Sequence, residues 1–127
     1  PKGKVCGDLI DFSDVLPTLA ELAGADLPSD IPFDGRSFAP QLRGEKGKPR
    51  DWIYCWYSRN GVRKKASRHV RDQKYKLYAD GRMYNVIDDF YEKNPLDTSK
   101  LDADAQARRA LFTRVLKERE TIAGPKK

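Results

Sequence analysis

Asp8 to Gly24 reads DLIDFSDVLPTLAELAG, and the start and stop signals in this stretch decide how the chain folds. Asp14 is expected to cap a helix, its carboxylate accepting an otherwise unpaired backbone N–H of the first turn at the positive end of the helix dipole. Pro17 then falls within that first turn, where its missing N–H removes a donor without an intrahelical partner. Val15, Leu16, Leu19, Leu22 and Ala23 recur at helical spacing and predict a wide apolar face. Gly24 supplies a left-handed cap ahead of Pro28. The expectation is a buried helix of about three turns.

Upstream, Pro1 to Gly7 is short and basic and carries no strong signal. Downstream, the composition from Ala25 to Arg50 shifts to Pro, Gly, Asp and Ser, so a long irregular connection is expected. Within it Ser37 is placed to cap one helical turn through Leu42, closed by Gly44, with Phe33, Phe38 and Leu42 as anchors to a core.

Trp52 to Ser58, WIYCWYS, predicts a strand apolar on both faces, either central in a small sheet or covered by something outside this chain. Its aromatic row could also stack sugars or bases, but burial is the expected role. Asn60-Gly61, Asp72-Gln73 and Asp80-Gly81 are turn signals, the last expected as a type I′ hairpin. They delimit further strands at Lys65–Arg71, Lys74–Ala79 and Arg82–Val86. Asp102 is placed to cap a final helix whose Leu111, Phe112, Val115, Leu116 and Ile122 oppose Arg108, Arg109, Arg114 and Lys117, ending at Gly124-Pro125. The fold class is therefore α+β: a small antiparallel sheet of three to four strands packed against a C-terminal helix, preceded by an N-terminal helix and long loop. The expected division is 1–50 and 51–127.

At 127 residues the chain can bury one modest core. It begins at Pro1 rather than Met and is expected to be a piece of a longer polypeptide. No run approaches membrane-spanning length, so no membrane partner is expected. The formal net charge is +6, which favours anionic partners. From Arg43 to Lys76 twelve Lys and Arg face three acids, so the excess is concentrated in one third of the chain. Cys6 and Cys55 have neither metal nor redox spacing. A disulfide or two separate buried thiols are both open, the second being the expectation.

Several segments in order resemble type I sulfatases of the alkaline-phosphatase-like superfamily. Asp14, Pro17, Thr18, Leu19 and then Leu22-Ala23-Gly24 resemble the helix shortly before the sulfatase C-terminal subdomain. Asp34-Gly35, Ser37 and Leu42 resemble the family's Asp-Gly-x-Ser-Leu-x-Pro-x-Leu, with Phe38 and Gln41 as departures. Val70-Arg71-Asp72-Gln73-Lys74-Tyr75-Lys76 is similar to Val-Arg-x-x-Arg-Tyr-Lys. Arg82 to Val86 with Asp89 and Glu92 resembles Leu-Tyr-Asp-Leu-x-x-Asp-Pro-x-Glu. Here the departures are Asn85, Phe90 and Asn94-Pro95-Leu96. The similarity runs from Asp8 to Leu96.

The resemblance implies the C-terminal part of a sulfuric ester hydrolase, periplasmic or secreted, whose partner is the N-terminal catalytic domain of the same polypeptide. It implies calcium and a formylglycine, made within Cys/Ser-x-Pro-x-Arg, for the full-length protein. Neither Cys6 nor Cys55 has Pro two and Arg four positions on, so no catalytic residue and no metal ligand is assigned, and this chain alone is expected to be inactive. Asp88, Asp89 and Glu92 are expected to form solvated turns. His69 is the only histidine; with Ser58 or Ser67 it makes no convincing triad, and a hydrogen bond to a sulfate or sugar hydroxyl is its expected role if it acts. Arg68, His69 and Arg71 are the candidate substrate-binding residues for an anionic, sulfated substrate, although strand alternation puts Arg68 and His69 on opposite faces. The alternatives are a free-standing polyanion or nucleic-acid binder, for which no recognisable nucleic-acid motif is present, and a related phosphatase or phosphonate hydrolase.

Overall fold

The computed structural model describes residues 2–62 and 65–122, with side chains through Glu120. Gly124, Pro125 and the side chain of Ile122 lie outside the described residues, as do Arg63 and Lys64 of the basic stretch. The chain forms two compact units, Pro1–Asp51 and Trp52–Lys127.

In the first unit a 3-10 turn, Phe12–Asp14, leads directly into α1 (Val15–Ala23). This turn moves the cap three residues upstream of its expected place. Asp11 is the capping residue, its Oδ1 accepting from Ser13 N at 2.9 Å, while Asp14 reaches back to accept from Asp11 N at 2.9 Å. Besides closing this capping box, the Asp14 carboxylate has a longer-range role, with Arg50. Gly24 ends α1 in the left-handed region at φ 65°, as its position predicts.

The covered side of α1 is not the leucine stripe. Within this unit Pro17 and Thr18 are buried, whereas Leu16, Leu19 and Leu22 are 54%, 59% and 49% exposed. Thr18 explains the reversal. Its hydroxyl donates to Asp14 O (2.6 Å) and accepts from Phe38 N (3.0 Å), tying the long connection to the polar side of the helix. Gly35 crosses the first turn so closely that a Cβ there would lie 2.0 Å from Ser13 O. Phe33 and Leu42 are exposed rather than anchoring; Ala39 is the fully buried residue. The N-cap of α2 (Ala39–Arg43) is Phe38 rather than Ser37, although Ser37 Oγ, one residue further out, accepts from Ala39 N at 3.1 Å; Gly44 closes the helix at φ 83°.

The second unit is an antiparallel meander, β1 (Ile53–Tyr57), β2 (Ser67–Arg71), β3 (Tyr75–Tyr78) and β4 (Met83–Asn85), in spatial order β1-β2-β3-β4. Strand β1 is thus an edge, which removes the reading of WIYCWYS as a central strand. Tyr54, Val70, Leu77 and Met83 form one cross-strand row. That row packs under α3 (Ala103–Ile122), against Ala105, Phe112 and Val115. Asp102 caps α3 through Ala105 N at 2.8 Å, and Arg108 pairs with Asp72 at 3.2 Å instead of joining the outer basic face. The architecture is the α+β arrangement expected, with the helix covering one sheet face.

The Asp80-Gly81 turn differs from the type expected. Only Gly81 has positive φ (93°); Asp80 does not. Tyr78 N bonds Arg82 O at 2.9 Å and Gly81 N bonds Tyr78 O at 3.0 Å, the pattern of a three-residue loop closed by a left-handed glycine. Both cysteines are free, Cys6 exposed and Cys55 half-buried, so neither matches the buried thiol expected.

Candidate functional site

Strand alternation in β2 divides the predicted trio. Arg68 faces the helix side, where it pairs with Glu120 on α3 at 3.4 Å. His69 and Arg71 face the other, outer side of the sheet, beside Tyr78 and Lys76 respectively in the register with β3. The structure therefore brings two of the three candidates together and separates the third.

His69 is half-buried, and its ring lies 5.3 Å from that of Tyr78 at an interplanar angle of 51°. Burial, followed by the positive charge of Lys76 and then Arg71, pushes its pKa down from 6.5 to about 4, against the opposing pull of Glu92. At neutral pH the imidazole is uncharged, with one donor and one acceptor nitrogen. It is not joined to a serine: Ser58 donates its hydroxyl to Val62 O at 3.1 Å.

Around it lies a polar cluster centred on Glu92. Lys76 Nζ donates to Glu92 Oε1 at 2.6 Å and Tyr78 OH to Oε2 at 2.5 Å. The Lys76 ammonium and the Arg82 guanidinium both lie over the Tyr78 ring, at 4.8 and 5.1 Å. Burial opposes ionisation of Glu92, but its bonds to Lys76 and Tyr78 outweigh that and hold its pKa below the ordinary value. For Lys76 burial likewise opposes the charge and Glu92 overcomes it, leaving the pKa raised. Glu92 is also the one non-glycine with positive φ (55°) among the described residues, a conformation with a steric cost that surrounding contacts must offset.

Glu92 is thus not the solvated turn acid expected from the sequence, whereas Asp89 is turn-forming, accepting from Lys93 N (3.0 Å) and Asn94 N (2.7 Å). Lys76 and Tyr78 could have been found by extending the hairpin register from His69 and Arg71. Glu92 could not, because it arrives from a loop sixteen residues beyond Lys76.

The ion pairs single out one residue. Lys76 is held by Glu92, Arg82 by Asp80 at 2.8 Å, and Arg68 by Glu120. Arg71 donates Nε to Asp72 O at 3.0 Å and has no carboxylate partner among the described residues. The face therefore offers a guanidinium with unused donors beside a neutral imidazole, which suits binding of an oxyanion carried by a polar ligand.

The sequence-family model for the C-terminal part of N-sulphoglucosamine sulphohydrolase matches residues 1–121. The chain belongs to this sulfatase C-terminal family. It is 32% identical over 89 residues to the ulvan-active sulfatase of Formosa agariphila, covering 68% of this chain and 18% of that protein. It is 35% identical over 86 residues to the N-acetylglucosamine-6-O-sulfatase of Bacteroides thetaiotaomicron, covering 64% and 14%. A protein solved with its substrate D-glucosamine-2-N,6-O-disulfate superposes with a TM-score of 0.62 at 25% identity, over 85% of this chain and 23% of that one. This sulfatase C-terminal chain thus spans less than a quarter of the length of these relatives. Among the described residues no three His, Cys, Asp or Glu side chains gather as a metal cage, and neither cysteine stands in a formylglycine motif. No helix among the described residues is long and apolar enough to cross a membrane.

Proposed function

We propose that this chain is the C-terminal part of a sulfuric ester hydrolase and that its outer sheet face helps hold the sulfated substrate. The carrying observation is the Arg71 guanidinium, without a carboxylate partner among the described residues, beside neutral His69. Arg71 binds sulfate oxygens, and His69 exchanges hydrogen bonds with a sulfate or sugar hydroxyl; Lys76 and Glu92 neutralise each other and fix the Tyr78 ring that supports the imidazole. With a pKa of about 4, His69 is a poor proton donor at neutral pH, so its part is orientation. Bond cleavage belongs to the portion of the longer polypeptide outside this chain, its N-terminal catalytic domain. The exposed leucine side of α1 supports that partner, since a row of three large apolar residues is suited to burial against another layer.

The test is Arg71→Ala and His69→Ala in the longer protein, assayed on a sulfated sugar. A lost charge-assisted hydrogen bond of about 1.5–3 kcal/mol predicts a rise in KM of about ten- to a hundredfold for Arg71→Ala, with kcat less affected. A KM unchanged in both variants refutes the assignment.

A further inference from the structure

We propose that a second anion site lies on the opposite side of β2, in the groove between the β3–β4 turn and α3, and that it takes a sulfated sugar residue. The groove includes a hollow of about 270 Å³. Leu77, Ala79 and Leu116 contribute apolar surface, and Arg68, Arg109 and Lys117 contribute positive charge. A second hollow of about 480 Å³ shares Arg109 and Thr113 with the first, so Arg109 stands between two depressions along the same helix.

Residues 109, 113 and 117 are each four apart and therefore line one stripe of α3, which places Arg109 and Lys117 about 12 Å from each other along the axis. Neither has an ion-pair partner among the described residues. Arg68 enters from the strand side, held by Glu120 at a long 3.4 Å. A contact of that length leaves its guanidinium open to exchange with an incoming oxyanion, which would contact two donors in parallel. Cations spaced along an aliphatic strip suit a ligand whose charged groups project from a ring with C–H faces. They suit a nucleic acid less well. Tyr78 borders the hollow, but its ring packs on His69 and Tyr84 across the sheet, leaving no ring in the groove for base stacking.

The choice of sulfate-bearing sugar over other anions rests on the proposed function; the existence of an anion groove does not. Such a site would hold a sugar residue of the substrate other than the one whose ester is cleaved. It also gives Arg68, turned away from His69, a binding role of its own.

The protein would be titrated with a heparin-derived hexasaccharide, with its desulfated counterpart, and with a single-stranded oligonucleotide of equal charge, at two salt concentrations, by calorimetry and amide NMR shifts. Expected are binding of the sulfated sugar with shifts at Arg109, Thr113 and Lys117, and about tenfold weaker binding with a flatter salt dependence for the double variant Arg109→Ala/Lys117→Ala. Glu120→Gln should tighten binding several-fold by releasing Arg68. Arg109 and Lys117 are exposed, so the double variant should keep its fold, checked by circular dichroism. Wild-type affinity in the double variant overturns the groove. If Arg71→Ala abolishes binding and the double variant does not, the groove reading fails and the outer-face reading stands; the reverse supports the groove alone. Equal binding of the oligonucleotide at the same residues overturns the ligand class.

Discussion

Replacing Arg50 by Met tests the interaction on which the first unit depends. Asp14 is 2% exposed, and its carboxylate accepts from Asp11 N at 2.9 Å, Arg36 N at 2.7 Å and Arg50 Nε at 2.7 Å, with Arg50 Nη2 also paired to it. Burial alone would raise the Asp14 pKa, but Arg50 and the backbone donors outweigh it and hold the carboxyl below 3.8. Arg50→Met keeps an apolar stem and removes the charge, so the carboxylate remains buried with two backbone donors and no cation. Breaking a buried pair from one side costs about 3–5 kcal/mol. The two remaining donors place the expected loss near the lower end, about 3 kcal/mol. In a unit of this size that is a large share of the total stability. Both tryptophans, Trp52 and Trp56, lie in the second unit, so the readout is hydrogen exchange of the α1 amides. Protection there should fall about a hundredfold or more, and Asp14→Ala in the same background should recover part of it by removing the orphaned charge. Unchanged α1 protection in Arg50→Met would refute the reasoning.

Two further outcomes follow from the packing. Because the folded pKa of His69 lies below its ordinary 6.5, its contribution is constant above about pH 6.5 and is lost as pH falls towards 4, when the unfolded chain takes up the proton first. After allowance for solvent screening the loss is about 1–2 kcal/mol, read as the difference in urea unfolding by tryptophan fluorescence between the native chain and His69→Gln; parallel pH profiles would refute it. Gly35→Ala should open the first unit by more than about 2 kcal/mol, since the added Cβ meets backbone rather than a movable side chain; hydrogen exchange in α1 equal to the native chain would refute it.

The elements legible in the sequence were those specified by local chemistry. Gly24, Gly44 and Gly81 stop or turn the chain where positive φ is required, and Asp102 caps α3 as its spacing predicts. The meander followed from turn residues and strand propensity in the same way. What local patterning could not supply was which side of an element would be covered. The leucine stripe of α1 has the right period for a core face, yet the connection from Asp34 to Ala39 engages Asp14 and Thr18 instead, through hydrogen bonds from Arg36 N and Phe38 N, twenty or more residues away. Asp14 shows the same limit. Its capping chemistry was visible, but Arg50, thirty-six residues away, decides its role. At the candidate site, alternation correctly separated Arg68 from His69, while Glu92 depended on a loop path that no spacing rule predicts.

The excess of basic residues between Arg43 and Lys76 was a correct count and an incomplete guide, because charge in a sequence is not yet charge available to a ligand. Arg43 pairs with Glu21 and Glu45, Arg50 with Asp14, Arg68 with Glu120, Lys74 with Asp104 and Lys76 with Glu92. These acids come from outside the basic stretch except for Glu45, so folding neutralises cations that sequence proximity leaves unopposed. Arg71 escapes because its outer-face neighbours in the register are Ile53 and Lys76, neither of them an acid, and the nearby Asp72 offers its carbonyl to Arg71 while its carboxylate closes the hairpin through Lys74 N and Tyr75 N. The turn, through one carboxylate oxygen, and Arg108, at 3.2 Å from the other, therefore occupy the acid next to Arg71 in sequence. Removing that acid as a turn former, by Asp72→Asn, should preserve much of the hairpin through the amide oxygen while leaving Arg71 unpaired, so anion binding at the outer face should persist. Loss of binding in a folded Asp72→Asn protein would show that Arg71 is not the group that holds the sulfate.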